Sequence, residues 1–99
     1  MLEVVFRPRA LAEIDAIADY TKAEWGEIQA KRYIEDLRGK IDFAAEYPGI
    51  GSTGYGLPNG YRKLPSGSHR IIYRYTKTQL IVVRVLHERE DVSEGWEDF

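Results

Sequence analysis

Apolar and polar residues alternate at the start of the chain and then change period. Residues 2–7, LEVVFR, alternate well enough for a short strand, which Pro8 ends. From Arg9 the spacing turns helical: Leu11, Ile14, Ala18, Thr21 and Trp25 recur at steps of three and four. Glu13, Asp15, Asp19, Lys22 and Glu24 lie mostly off that stripe, and Gly26 breaks it. A second helix is predicted over Glu27–Glu46, with Ala30, Ile34, Leu37, Ile41 and Ala44 on one face. Gly39 costs that helix about 1 kcal/mol relative to alanine without ending it; Pro48-Gly49 ends it. Two helices joined so tightly form an antiparallel hairpin.

Residues 48–60, PGIGSTGYGLPNG, carry five glycines and two prolines and read as loop. Their spacing fits neither phosphate-cradling glycine motif, and no helix follows. Three strands come next, YRKLP (61–65), SHRIIYRYT (68–76) and LIVVRVLH (80–87), with turns at Ser66-Gly67 and Lys77-Thr78. Short turns between them imply an antiparallel meander. The order β-α-α-β-β-β describes an α+β domain, a helix hairpin packed on one face of a single sheet. The whole chain, 1–99, is expected to form one such domain, with 88–99 as an acidic, aromatic C-terminal tail.

Strand alternation then distributes the chemistry. The simplest register sets Ile71, Tyr73, Ile81, Val83 and Val85 against the hairpin. Arg62, Arg70, Arg74 and Arg84 gather on the open face, padded by Leu64, Ile72 and Val82. A register slip of one residue would reverse that assignment.

Charge is distributed unevenly along the chain. No acid occurs between Tyr47 and His87, whereas Arg62, Lys63, Arg70, Arg74, Lys77 and Arg84 do; from Glu88 onward six acids face Arg89 alone. A cationic middle before an anionic tail fits an acidic partner, or a tail that covers a basic face. It also fits an ordinary solvated face laced by weak ion pairs. The absence of cysteine excludes disulfides, zinc–thiolate sites and thiol nucleophiles. No metal or cofactor is implied, since His69 and His87 lack further ligands at suitable spacing. No signal peptide and no membrane-spanning run is apparent, so a cytoplasmic protein is expected. His87 has two readings: a general acid or base near neutrality, or a strand-end histidine bonded to backbone. Trp96 and Phe99 either dock on the domain or meet a partner.

Several stretches taken in order resemble a known family. They are ALAEIDAIADYTKAEWGEIQAKRYIEDL, YPGIG, GYRKLPSGSHRIIYR and IVVRVLHERED, spanning Val4 to about Val92. Together they resemble the ParE branch of the RelE/ParE toxins of bacterial type II toxin–antitoxin modules. The resemblance implies a small toxin that inhibits DNA gyrase, is not an enzyme, and is neutralised by a ParD-like antitoxin wrapped across it. It implies no membrane and no direct nucleic-acid binding by the toxin alone. The alternative is a RelE-like ribosome-dependent mRNA endonuclease, for which Arg62, Arg70, Arg84, His87 and Arg89 would supply charge and a proton. Against that alternative, the tyrosine found near the C-terminus of many RNA-cleaving relatives is replaced here by Glu94-Gly95-Trp96. Partner contacts are expected from Arg70, Tyr73, Arg74, Arg84, His87, Arg89 and Trp96. An antitoxin helix is expected in an apolar groove near Leu11, Ile14, Trp25 and Ile34. Glu90 departs from the family pattern, where a methionine is usual.

Overall fold

The computed structural model describes residues 1–54 and 56–90. Its elements run β1 (Glu3–Phe6), α1 (Pro8–Trp25), α2 (Glu27–Glu46), a 3₁₀ turn (Pro48–Ile50), β2 (Arg62–Ser66), β3 (His69–Tyr75) and β4 (Gln79–His87). The sheet order is β1-β4-β3-β2, with β1 parallel to β4 and the meander antiparallel. The expected α+β architecture is the one observed. Trp96 and the rest of the tail from Asp91 lie outside the described residues. Among the described residues, no helix is long and apolar enough to cross a membrane.

Local chemistry sets the helix ends. Pro8 opens α1 at a position whose N–H would have no helical partner. Gly26, at φ +94°, serves both helices at their joint. Its N–H donates to the Lys22 carbonyl at 2.9 Å, and its own carbonyl accepts Ala30 N–H at 3.1 Å. A positive φ there suits glycine and few other residues.

The main core lies between the hairpin and the sheet. Ala10 and Ile17 of α1 and Leu37, Ile41, Ala44 and Ala45 of α2 meet Ile71, Tyr73, Leu80, Val82 and Val85. Side chains such as Leu37 each contribute roughly 1.5–3 kcal/mol by leaving water. On the opposite face Ile72 and Leu86 are covered by Leu57 of the glycine-rich segment and by Tyr61 just after it. Ser52 bridges to Lys63 and draws that segment along the outer edge of β2.

This arrangement corrects the expected sheet faces. β3 and β4 shift register between Ile72 and Tyr73, so Ile72 opposes Arg84 while Tyr73 opposes Val82, and Val83 is the extra residue. A strand carrying such a bulge exchanges faces beyond it. Leu80 and Val82, in place of Ile81 and Val83, therefore join Val85 against the hairpin. Leu64 also packs against that core and does not pad an open basic face. On α1, Ala10, Ile17 and Thr21 are the buried positions; Leu11 and Trp25 are exposed. The small side chain of Ala10 lets α1 turn that edge of its apolar stripe toward β4.

Candidate functional site: an aromatic groove at the end of β4

Of the cations predicted for one open face, Arg70, Arg74 and Arg84 share the face of Ile72 and Leu86, whereas Arg62, opposite Tyr73, lies on the hairpin face. Arg84, in the middle of β4, is 7% exposed and bound to Glu13 of α1. Its Nη2 donates to Glu13 Oε2 at 2.6 Å, and its Nε lies 2.9 and 3.0 Å from the two carboxylate oxygens. Glu13 Oε1 also accepts Val85 N–H at 2.9 Å. A guanidinium cannot remain buried without such a partner, because desolvating an unpaired charge is costly. Sequence reasoning read Glu13 as one acid among several on a solvated face. The signal that could have singled it out was the arginine itself: a charge in the apolar run LIVV-R-VL demands a carboxylate on the element packed beside it.

Arg62 donates from Nη1 to the carbonyls of Gly51, at 2.7 Å, and Gly49, at 3.3 Å, pinning the loop that follows α2. Arg70 donates to the Glu88 carbonyl, beyond the end of β4. Arg74 is half-buried on β3. Tyr73, expected at a partner surface, is 0% exposed. Its hydroxyl donates to the Pro48 carbonyl at 2.8 Å and accepts Gly51 N–H at 2.8 Å, and burial pushes the phenol above its ordinary pKa. Tyr73 is thus a core residue that ties down the 3₁₀ turn.

A groove of about 570 Å³ opens where the hairpin joint meets the far ends of β3 and β4. Tyr20, Trp25 and Tyr33 form its aromatic wall, and His69 and His87 its floor. Trp25 is 71% exposed and Tyr20 is exposed as well. Of the groove residues expected from sequence, only Trp25 lines this one. Ile14 and Ile34 pack on the core, and Leu11 faces outward elsewhere. The spacing that marked a helical face did not reveal how far that face is rolled toward the sheet.

The two histidines are register partners on β3 and β4, with rings edge to face at 5.4 Å. Tyr33 Oη lies 2.6 Å from His69 Nδ1, accepts Ser68 N–H at 2.9 Å and stands 3.3 Å from the Ser66 carbonyl. The shorter contact takes the hydroxyl proton to His69, whose Nδ1 then acts as acceptor. Burial, followed by the neighbouring His87, lowers the pKa of His69, against smaller upward effects of Glu90 and Glu88. Gly67, at φ +56°, makes this hub possible, because a Cβ there would stand 2.6 Å from the Tyr33 ring. His87 Nδ1 accepts Arg89 N–H at 3.2 Å, His87 N–H donates to Glu90 Oε1 at 2.9 Å, and Glu88 N–H donates to the Ser68 carbonyl at 2.8 Å. His87, Arg89 and Glu90 therefore share one compact turn beside the groove. No group of three or more metal-ligating side chains occurs among the described residues.

With this geometry in view, comparisons with known proteins agree with one another. The family model described as ParE toxin of type II toxin–antitoxin system, parDE, matches residues 4–92. Toxin ParE1 of Mycobacterium tuberculosis is 46% identical over 87 residues, covering 87% of this chain and 89% of that relative. Toxin ParE1 of Caulobacter vibrioides is 40% identical over 80 residues, covering 81% and 82%. The chromosomal ParDE toxin–antitoxin system of P. aeruginosa provides a similar solved structure, with a TM-score of 0.75 at 18% identity, covering 88% of this chain and 96% of that one. The toxin–antitoxin complex DinJ–YafQ of E. coli gives a TM-score of 0.66 at 12% identity, covering 88% and 92%. At those identities the structural likeness is one of fold.

Proposed function

This chain belongs to the ParE toxin family of type II toxin–antitoxin systems, and from that premise we propose that it inhibits DNA gyrase by binding, without catalysis, and is neutralised by a ParD-like antitoxin. The observation that carries the reading is that three of the cations are engaged by partners within the fold. A ribonuclease needs positive charge converging on the scissile phosphate, aimed where charge develops. Here Arg84 is committed to Glu13, Arg62 to the Gly49 and Gly51 carbonyls and Arg70 to the Glu88 carbonyl. What the surface offers instead is the aromatic groove and the His87–Glu90 turn, a shape suited to gripping protein. An antitoxin helix laying an apolar face on Tyr20, Trp25 and Tyr33 would bury the most exposed of those side chains. His87, Arg89, Arg74 and Trp96 remain the proposed contacts to gyrase, and a bacterial cytoplasm the compartment.

A second reading, cleavage of ribosome-bound mRNA, is favoured by one feature, the close pairing of His69, His87 and Tyr33. The deciding assay is DNA supercoiling by purified gyrase with rising amounts of this protein. Dose-dependent inhibition with trapped, cleaved DNA, relieved by the antitoxin, is the expected result. A folded protein that arrests growth yet leaves gyrase untouched would transfer the case to the ribonuclease reading.

A further inference from the structure

β4 runs past its neighbour. β1 pairs with it only as far as Phe6 opposite Val82, after which Arg7 N–H donates to the Val82 carbonyl at 3.0 Å. From Val83 to His87 no strand lies outside β4 among the described residues. Glu13 stands in the missing strand's place. Its Oε1 accepts the ladder amide of Val85, and the same carboxylate grips Arg84. Just before this point β4 carries the extra residue Val83, and a bulge of that kind bends a strand and re-aims the residues beyond it. Just after it come His87, its ring partner His69 across the ladder, and the turn closed by His87 N–H on Glu90. On the side away from β3, the strand end is therefore held by one carboxylate just beyond one bulge.

We propose that Glu13 is a positioning residue: by capping Val85 and holding Arg84 it aims the end of β4, and with it the His87–Glu90 turn, toward the toxin's partner. Stability alone is a poor reason for such a pair, since well-packed apolar residues in place of a buried ion pair often serve equally well. An apolar side chain at position 13 could not accept the Val85 amide. The proposal rests on the toxin reading, but not on gyrase being the target.

The test compares the full-length protein with Glu13→Gln, which keeps an acceptor oxygen, and with the double variant Glu13→Leu/Arg84→Met, which replaces the pair by apolar groups. Each folded variant is read by amide exchange at Val85 and by the induced dose that arrests growth. The titration of His69 followed by NMR reports strand-end geometry without any partner. In the double variant, Val85 exchange should rise at least tenfold, the His69 titration should move toward that of a free histidine, and the arresting dose should rise tenfold or more. Glu13→Gln should fall between it and the parent on all three. Val85 protection lost with the arresting dose unchanged overturns the proposal, and so does potency lost with Val85 and His69 unaltered. If the double variant does not fold, Glu13→Gln carries the same comparison. A parent protein that arrests growth without touching gyrase removes the target reading and leaves this test intact. If the parent does not arrest growth, an unmoved His69 titration alongside lost Val85 protection overturns the proposal.

Discussion

Two elements that border the groove, α2 and β4, handle polarity in opposite ways. α2 sends Ala30, Leu37, Ile41, Ala44 and Ala45 inward and leaves its acids and bases in water. β4 is buried from Leu80 to Leu86, with Leu80, Val82 and Val85 against the hairpin, Leu86 under Leu57 and Tyr61 on the other face, and Arg84 inside that run. A half-buried helix announces its orientation through its period, because its solvent side must be polar. A strand covered on both faces carries no such mark. The contrast teaches where functional geometry hides in a small domain: where burial is complete, one polar residue depends on a partner far away in sequence, here 71 residues.

The largest effect should come from breaking that dependence. Arg84→Ala leaves the half-buried Glu13 carboxylate without the Arg84 cation, and Glu13→Ala leaves a buried guanidinium without that carboxylate. Either should cost about 3–5 kcal/mol in urea unfolding, as for other broken buried pairs. An equally large loss from a single charge change on the exposed side of α2, such as Glu35→Ala, would show that the contrast is misdrawn.

The next effect tests how α2 is fastened to the sheet. Gly67 approaches the Tyr33 ring so closely, and at so positive a φ, that Gly67→Ala must move one or the other. About 2–3 kcal/mol should be lost, combining backbone strain with displacement of the ring. The Ser68 amide, which donates to Tyr33 Oη, should lose exchange protection in step. Protection retained in the variant would mean that Tyr33 does not hold the turn.

Gly39 sharpens the comparison from the other direction. It sits inside α2 with nothing within 4 Å of where a Cβ would lie. On an exposed helical face, Gly39→Ala should stabilise the fold by about 0.5–1 kcal/mol, through helix propensity and a less flexible unfolded chain. The melting temperature of the isolated toxin measures this, and a decrease would count against an open α2 face.

The same contrast explains how much was legible in the sequence. The bounds of α2, Glu27–Glu46, follow from Gly26, Pro48 and an unbroken apolar period, each a local signal. The strands and turns followed from similarly local marks. Other features were not legible: Arg84 is buried where an open face was expected, Tyr73 lies in the core, and Ile14 and Ile34 pack on it. These depend on relations between elements, the roll of α1 on β4 and the carboxylate waiting on another helix, just as the exchange of Ile81 and Val83 for Leu80 and Val82 depends on the bulge. The family likeness singled out Gly67–Arg74 and Arg84–His87 without saying that Arg84 is buried against Glu13.

The smallest effect concerns a side chain on which α2 and β4 both act. His69 receives the Tyr33 hydroxyl from α2 and faces His87 of β4, with Glu88 and Glu90 beyond the strand end. Burial, then the neighbouring imidazole, hold its folded pKa below the ordinary value of 6.5. Folding therefore favours neutral His69, whereas the unfolded chain takes up the proton first as the pH falls. The contribution is fully present above about 6.5, declines as the pH falls from there through the folded pKa, and is constant below that. His87, Glu88 and Glu90 lie close by, so the informative quantity is the difference between the parent and His69→Gln, whose side-chain oxygen can still accept the Tyr33 hydroxyl. Urea unfolding at several values between about pH 7.5 and about pH 5 should show the parent losing stability relative to the variant as the medium turns acid. A flat difference would mean that His69 titrates as though in water, and that the groove floor is looser than its 2.6 Å contact with Tyr33 requires.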